Sequence, residues 1–392
     1  MTTDKKVAFI GDVHIGNHKK FGGDTEKGIN KRCKMTLDTL YCAYMLMVAE
    51  NKVSSVVILG DLFDSPKVSP QIIAATQKII QMIPTVLLCG NHDQFSDAEG
   101  DNALAPLSPV AEVFDTPEIV QIATNTDIIL VPYQKGKCRD WLKEHTQELL
   151  KQANNRQRIL AFHAGVYDDK TPHFLRDSDA SICADEVFDL CKGKIEHVFA
   201  GHWHNRKTWG YFDASSGKKY SVIQAGALVP TGWNNPGMEY GVVYVYDAIS
   251  NTVEHICMPG PRFLTATLDD DIGILKSKYP YPNKYIEEGI KVYLRLKVNE
   301  SEGELANKIL DAGKNSGTIE EGEVEFYSND AEKANYKAAK VTRSSKTMEE
   351  ALDNYTSLMP LKSFRDIAVD ESSARADIKE KSREYMKVTD AY

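Results

Sequence analysis

The chain lacks a CxxC pair, an internal repeat, a low-complexity tract, an apolar run of membrane-spanning length and an excess of positive charge. Each absence narrows the possibilities. Its seven cysteines (Cys33, Cys42, Cys89, Cys138, Cys183, Cys191 and Cys257) are scattered. That spacing offers no zinc ribbon or disulfide framework and fits reduced thiols in a reducing compartment. Without a long apolar run there is no transmembrane helix to place. The opening residues MTTDKKVAFIGD run straight into a strand with no signal-peptide pattern, so a cytoplasmic location is expected. The formal charge of −9 argues against a passive nucleic-acid binder, which presents a basic face. It leaves room for a nucleic-acid enzyme, because a carboxylate-rich metal site adds negative charge that bound cations neutralise.

What is present is a chain of 392 residues, long enough for two or three domains. Its organising stretch is Val86 to Asp93, VLLCGNHD. Val86, Leu87 and Leu88 are apolar without alternation, the pattern of a strand covered on both faces. Gly90 then permits a sharp turn, and Asn91, His92 and Asp93 leave the sheet at its carboxyl edge, where open α/β sheets keep their chemistry. The same pattern recurs. Lys6–Ile10 leads to Gly11-Asp12-Val13-His14. Val53–Leu59 leads to Gly60-Asp61-Leu62-Phe63-Asp64. Arg158–Phe162 leads to His163, and His197–Ala200 leads to Gly201-His202-Trp203-His204. Helical spacing marks Met35–Asn51, Ser69–Ile83 (with Pro70 in its first turn), Trp141–Ala153 and Cys183–Cys191. Short strands are expected at Ile119–Ile122 and Asp127–Val131. The β-α-β-α-β order of the first hundred residues predicts an α/β layered fold with parallel pairing. Tyr220–Gln224 and Tyr240–Tyr246 read as strands of a second, more antiparallel sheet, with Val253–Met258 beside them.

Pro259-Gly260-Pro261 is a strong breaker, and a domain boundary is placed at about 262. Beyond it, Lys291–Val298, Glu302–Ala312 and Gly322–Tyr327 read strand, helix, strand. Residues 328–346 are charged and poor in large apolar side chains, a linker candidate. Met348–Leu358 and Ser372–Val388 read as charged helices, the second with a thin apolar stripe of Ala374, Ile378, Tyr385 and Met386. Two basic stretches, residues 18–34 and 135–158, are either solvated faces or phosphate contacts.

The strand ends supply Asp12, His14, Asp61, Asn91, His163, His202 and His204. Seven oxygen and nitrogen donors without a thiolate suit a pair of hard-to-borderline cations. One set is Asp12, His14, Asp61 and His204; the other is Asp61, Asn91, His163 and His202, with Asp61 shared. Two cations roughly 4 Å apart can clamp a phosphate and lower the pKa of a bridging water. His92 stands where it can serve the leaving alkoxide, with Asp93 or Asp64 orienting its ring. This is the outfit of a phosphoester hydrolase.

DVH, GDLFD, GNHD, the lone His163 and GHWH, in this order, resemble the five motifs of the calcineurin-like metallophosphoesterase superfamily. The resemblance spans residues 12–204 and implies a two-sheet α/β sandwich. GDLFD followed by GNHD resembles the SbcD and meiotic-recombination nucleases, including those of T-even phages. Protein phosphatases of the superfamily instead follow the second motif with Arg-Gly and end the third in Glu. In some relatives the position of Asp64 is a His. The nuclease resemblance implies two Mn2+ ions (Mg2+ as the substitute), exonuclease action on duplex ends and endonuclease action on single strands. It also implies a catalytic domain over 1–262, an α/β capping domain over 263–345 that helps position DNA, and a helical region over 346–392 that docks on an SbcC-like coiled-coil ATPase. A homodimer in the cytoplasm of a bacterial or phage-infected cell is the matching expectation, with the Tyr41–Met47 helix face as the candidate surface. The same seven donors would serve a phosphodiesterase acting on a cyclic nucleotide or nucleotide diphosphate equally well. A non-catalytic binding module would need a defect in that set or in His92, and there is none.

Overall fold

A computed structural model describes residues 6–123, 125–154, 157–171, 176, 178, 180–213, 218–233, 240–258, 260–270 and 292–327. These fall into two compact units, 6–265 with 292–294 and 316–321, and 266–270 with 295–315 and 322–327. The expected linker at 328–346, the two C-terminal helices and His173 lie outside the described residues.

The first unit holds two six-stranded sheets. One contains β1 (Lys6–Ile10), β2 (Ser55–Ile58), β3 (Thr85–Leu88), β4 (Glu112–Phe114), β11 (Val242–Asp247) and β12 (Thr252–Cys257), in the order β12-β11-β1-β2-β3-β4. The other contains β5 (Glu118–Ala123), β6 (Thr126–Val131), β7 (Gln157–His163), β8 (His197–Gly201), β9 (Lys207–Asp213) and β10 (Lys218–Gln224), in the order β9-β10-β8-β7-β6-β5. β1, β2, β3 and β4 run parallel, as do β6, β7, β8 and β10. Antiparallel strands flank each set.

The absence of alternation in the strands follows from this layering. Successive side chains point to opposite faces, and here both faces are covered. Val7 and Phe9 of β1 enter a core between the sheets with Val57, Val86, Leu130, Ala161, Phe199 and Ile223. Ala8 and Ile10 point outward, under the helices α1 (Lys31–Leu46) and α2 (Pro70–Ile80). On the far side Leu160, Phe162 and Val198 pack against α3 (Cys138–Gln152) and α4 (Ala184–Cys191). The result is a helix–sheet–sheet–helix sandwich.

Helix α1 begins four residues before the expected Met35, because the side chain of Asn30 accepts the amide of Cys33 and caps it there. It ends at Leu46 in a π-helical turn, Met47–Asn51, closed by Lys52 in the left-handed region. Ser69 caps α2, with Pro70 in its first turn as read. The expected second, antiparallel sheet does not form. Lys218–Gln224 joins β8 in parallel in one sheet, whereas Val242–Asp247 pairs antiparallel with β1 in the other. Each strand extends a sheet built on parallel strands. Arg32, grouped with the basic stretch, is buried: its guanidinium donates to the Pro230 carbonyl at 2.9 Å and lies over the rings of Phe263 and Tyr293. In the second basic stretch Arg139 and Lys143 both pair with Glu186. Among the described residues no helix is long and apolar enough to cross a membrane.

In the second unit, helix α5 (Gly303–Asn315) follows a capping box made by Asn299 and Glu302. The strand before it carries Arg295 and Lys297, which pair with Glu323 and Glu325 of the strand after it.

Between the two sheets the fully buried rings of Phe9 and Phe199 stack 3.8 Å apart. Phe9→Ala is expected to cost about 3–5 kcal/mol, read as a lowered denaturant midpoint at unchanged slope. A loss under about 1 kcal/mol would show that the inter-sheet layer closes over the gap.

Candidate metal centre

β1, β2 and β3 end at one edge of their sheet, and β7 and β8 end opposite them, so five strand ends deliver their polar turns to one place. The turns are backbone-strained. His14, Asp61 and His202 have φ of +54°, +51° and +86°, a region that costs side-chain-bearing residues about 1–3 kcal/mol each. The strain is held by hydrogen bonds: the Asp61 carbonyl accepts both Val13 N–H and His14 N–H at 3.0 Å. Gly60, at φ +94°, must be glycine, since a Cβ there would lie 2.1 Å from His163 Nδ1.

All seven donor residues and His92 come together. Ligand atoms of Asp12, His14 and His204 lie within 4.8 Å of one another, as do those of Asp61, His163 and His202, and those of His14, Asp61 and His92. Asn91 Oδ1 joins the second group, 3.1 Å from His163 Nε2 and 2.8 Å from His202 Nδ1. The two buried carboxylates are divided in the same way. Asp12 Oδ1 accepts His202 N–H and Asp61 Oδ1 accepts His92 N–H, each at 2.8 Å. That leaves Asp12 Oδ2 buried without a partner and Asp61 Oδ2 between His163 Nε2 (3.4 Å) and His14 Nε2 (3.7 Å).

Buried polar atoms are normally hydrogen-bonded. Here Asp12 Oδ2 and His14 Nε2 are both buried orphans facing the same cluster. His163 Nδ1–H donates to the Leu59 carbonyl at 2.7 Å, which turns Nε2 toward Asn91 and Asp61. Burial alone would lower its pKa, but the charge of Asp61 prevails and pushes it up to about 9. Burial instead lowers His202 to about 3, and His204 also falls. Asp61 is held below the usual carboxylate range by His163 and His14, against its burial. Two carboxylates buried this deeply call for compensating positive charge. A divalent cation would satisfy them together with the orphaned donor atoms, so the residues fit a metal pair.

Residues 5–206, just over half of the chain, match the family profile described as calcineurin-like phosphoesterase. The chain belongs to that family. No curated protein matches it. Among solved structures it is similar to a dimetal phosphatase from Danio rerio, at 13% identity over 65% of this chain and 96% of that one, with a TM-score of 0.42. A second structure is 10% identical over 64% of this chain and 98% of that one, with a TM-score of 0.41.

Within this calcineurin-like phosphoesterase the supporting residues differ from the expected ones. Asp93 does not orient His92. Its carboxylate is fully buried and accepts Phe63 N–H and Gly90 N–H, both at 3.0 Å, tying the turn after β2 to the turn after β3. Burial and the nearby Asp61 push it up to about 7. The ring of His92 is held instead by a backbone group, the Asp64 carbonyl, 2.8 Å from Nδ1. The Asp64 carboxylate goes elsewhere, 3.5 Å from His14 Nδ1 and 3.5 Å from His18 Nδ1. Thr231, to which sequence reading gave no role, has its hydroxyl 3.4 Å from His204 Nδ1. It lies in a Gly- and Pro-containing loop with no motif to mark it.

Asp93→Asn would turn an amide N–H toward a backbone N–H in a dry site. The expected loss is about 1–3 kcal/mol of stability by urea unfolding. Stability equal to wild type would mean that the two turns are held without this carboxylate.

Proposed function

We propose that the chain is a two-metal phosphodiesterase that cleaves DNA, working in double-strand-break repair or recombination. The observation that carries the two-metal part is Asp61, whose second carboxylate oxygen stands between the imidazoles of two donor groups. Asp12, His14, Asp61 and His204 would hold one cation, and Asp61, Asn91, His163 and His202 the other. The resemblance to the SbcD-type nucleases implies Mn2+ as the ion, with Mg2+ as a substitute. Two cations there supply a clamp for phosphate oxygens and acidify a water for in-line attack.

The chain's own residues do the rest. Leu59 and Asn91 fix the rotation of His163 and His202. The N–H groups of His202 and His92 orient Asp12 and Asp61. As water oxygen bonds to phosphorus, the bond to the leaving alkoxide oxygen breaks, and that oxygen takes a proton. His92 is placed to give it from Nε2 while Nδ1–H stays on the Asp64 carbonyl.

DNA as substrate is supported by the GDLFD and GNHD motifs, their SbcD-like layout and the 131 residues beyond the breaker at 259–261. A small diester has no use for so much additional chain. In this reading the body to about 262 carries the chemistry, 263–345 helps position DNA, and 346–392 docks on an SbcC-like coiled-coil ATPase through its apolar stripe. The homodimer would form through the face of α1 that exposes Tyr41.

With Mn2+, the full chain should release nucleotides from end-labelled linear duplex DNA, and Asp61→Ala should not. His92→Gln should keep Mn2+ and DNA binding but lose about a hundredfold or more in rate, the usual reach of a general acid. If His92→Gln loses Mn2+ instead, His92 is a ligand. If bis-p-nitrophenyl phosphate is hydrolysed but DNA stays intact even with an SbcC-like ATPase added, the substrate is a small diester.

A further inference from the structure

We propose that Gln224 is a positioning residue for the metal centre, holding the turn that carries His202 and His204; this rests on the two-metal reading above. Gln224 sits at the end of β10, where its side chain is buried beneath the strand ends, with 1% exposure. Its Nε2 donates to three carbonyls of the neighbouring turn: Gly201 at 2.8 Å, Ala200 at 3.2 Å and Trp203 at 3.3 Å. Its Oε1 accepts Val166 N–H at 2.8 Å. One amide thus joins the chain leaving His163 to the chain carrying His202.

The turn needs such a hold. His202 is left-handed at φ +86°, and its own N–H and ring serve both sides of the centre: N–H to Asp12 Oδ1, and Nδ1 toward Asn91 Oδ1, each at 2.8 Å. If the turn relaxes, Asp12 loses its orienting donor and His202 loses its aim. The turn is also packed against the chain after His163, because a Cβ on Gly165 would lie 2.2 Å from the Trp203 ring. Within the turn the strained residue is therefore fixed by carbonyls accepting from one side chain on another strand. An amide is the group that fits, since it offers two N–H donors and one acceptor to backbone atoms of both kinds. An ionised carboxylate has no donor and a protonated one has a single O–H, and methionine keeps the shape while offering neither donor nor strong acceptor. Groups that orient metal ligands typically change metal affinity about 10–100-fold when removed.

The test is Mn2+ titration of the full-length chain by calorimetry, with melting temperatures in parallel. The variants are Gln224→Met, Gln224→Glu and a control, Thr126→Val. Thr126 is a fully buried residue of β6 whose hydroxyl donates to Gln157 Oε1, so Val removes a part-buried hydrogen bond of the same sheet away from the donor residues. Gln224→Met should weaken Mn2+ binding about tenfold or more. Gln224→Glu should do the same even though it keeps an acceptor for Val166. Thr126→Val should lower the melting temperature and leave Mn2+ affinity unchanged. The proposal is overturned if both Gln224 variants bind Mn2+ as wild type does, or if Thr126→Val loses as much affinity for the same melting shift. It is overturned also if Gln224→Glu alone keeps full affinity, for then the paired N–H donors of the amide are dispensable. Should Gln224→Met not fold, Gln224→Glu against the control decides. Failure of the wild type to bind Mn2+ would refute the metal centre itself, a different result from normal wild-type binding with unaffected variants.

Discussion

The structure depends on one buried carboxylate. Asp61 is 1% exposed, and an ion so placed is costly unless opposite charge and hydrogen bonds compensate it. The strand ends around it are arranged to do so. One oxygen takes a backbone N–H from the turn after β3, the other faces imidazoles delivered by β1 and β7, and its carbonyl receives two amides of the turn after β1. Three separate turns therefore converge on a single residue. Its left-handed backbone is what lets side chain and carbonyl serve different neighbours at once.

The sandwich explains why this convergence is possible. Five parallel strands apolar on both faces fix the heights of their carboxyl ends through the core between the sheets and the helix layers outside. The polar turns then inherit a rigid frame without contributing to the core themselves. Side chains built on such ends are better defined than side chains on free loops, which is what closely set donor atoms require. Asp93 extends the same logic. It uses a buried carboxylate to lock two turns together, so that the positions of Asp61 and Asn91 are not independent.

Much of this was legible in the sequence because it is written as a repeated local pattern: apolar run, glycine, then donor residues. The turns at Asp12, Asp61, Asn91 and His202 all carry it, and His163 follows its apolar run directly. What was not legible is contact through space or through the backbone. Lys218–Gln224 opens on two lysines whereas Val242–Asp247 is almost wholly apolar, yet nothing in either tells which sheet it completes. The edge strands Glu112–Phe114 and Lys207–Asp213 were missed, the first for its brevity and the second for its polar, half-exposed face. Asp93 follows His92 in sequence, and adjacency suggested partnership. In the structure its neighbours are amides of residues 63 and 90 instead.

Asp64 shows most clearly why residue identity and role can separate. Its carbonyl holds His92, whereas its carboxylate lies beside His14 and His18. A carbonyl is present whatever the side chain, so the anchor of His92 survives any substitution that leaves the turn after β2 in place. The side chain is free to change its dealings with the imidazoles beside it, while the tie to the proton-bearing ring is made by an atom that no sequence comparison can see. The same holds for the N–H groups of His92 and His202, which orient Asp61 and Asp12 independently of the rings they belong to. Two kinds of constraint thus overlap in each turn: one on which donor side chain stands there, and one on the path of the backbone beneath it.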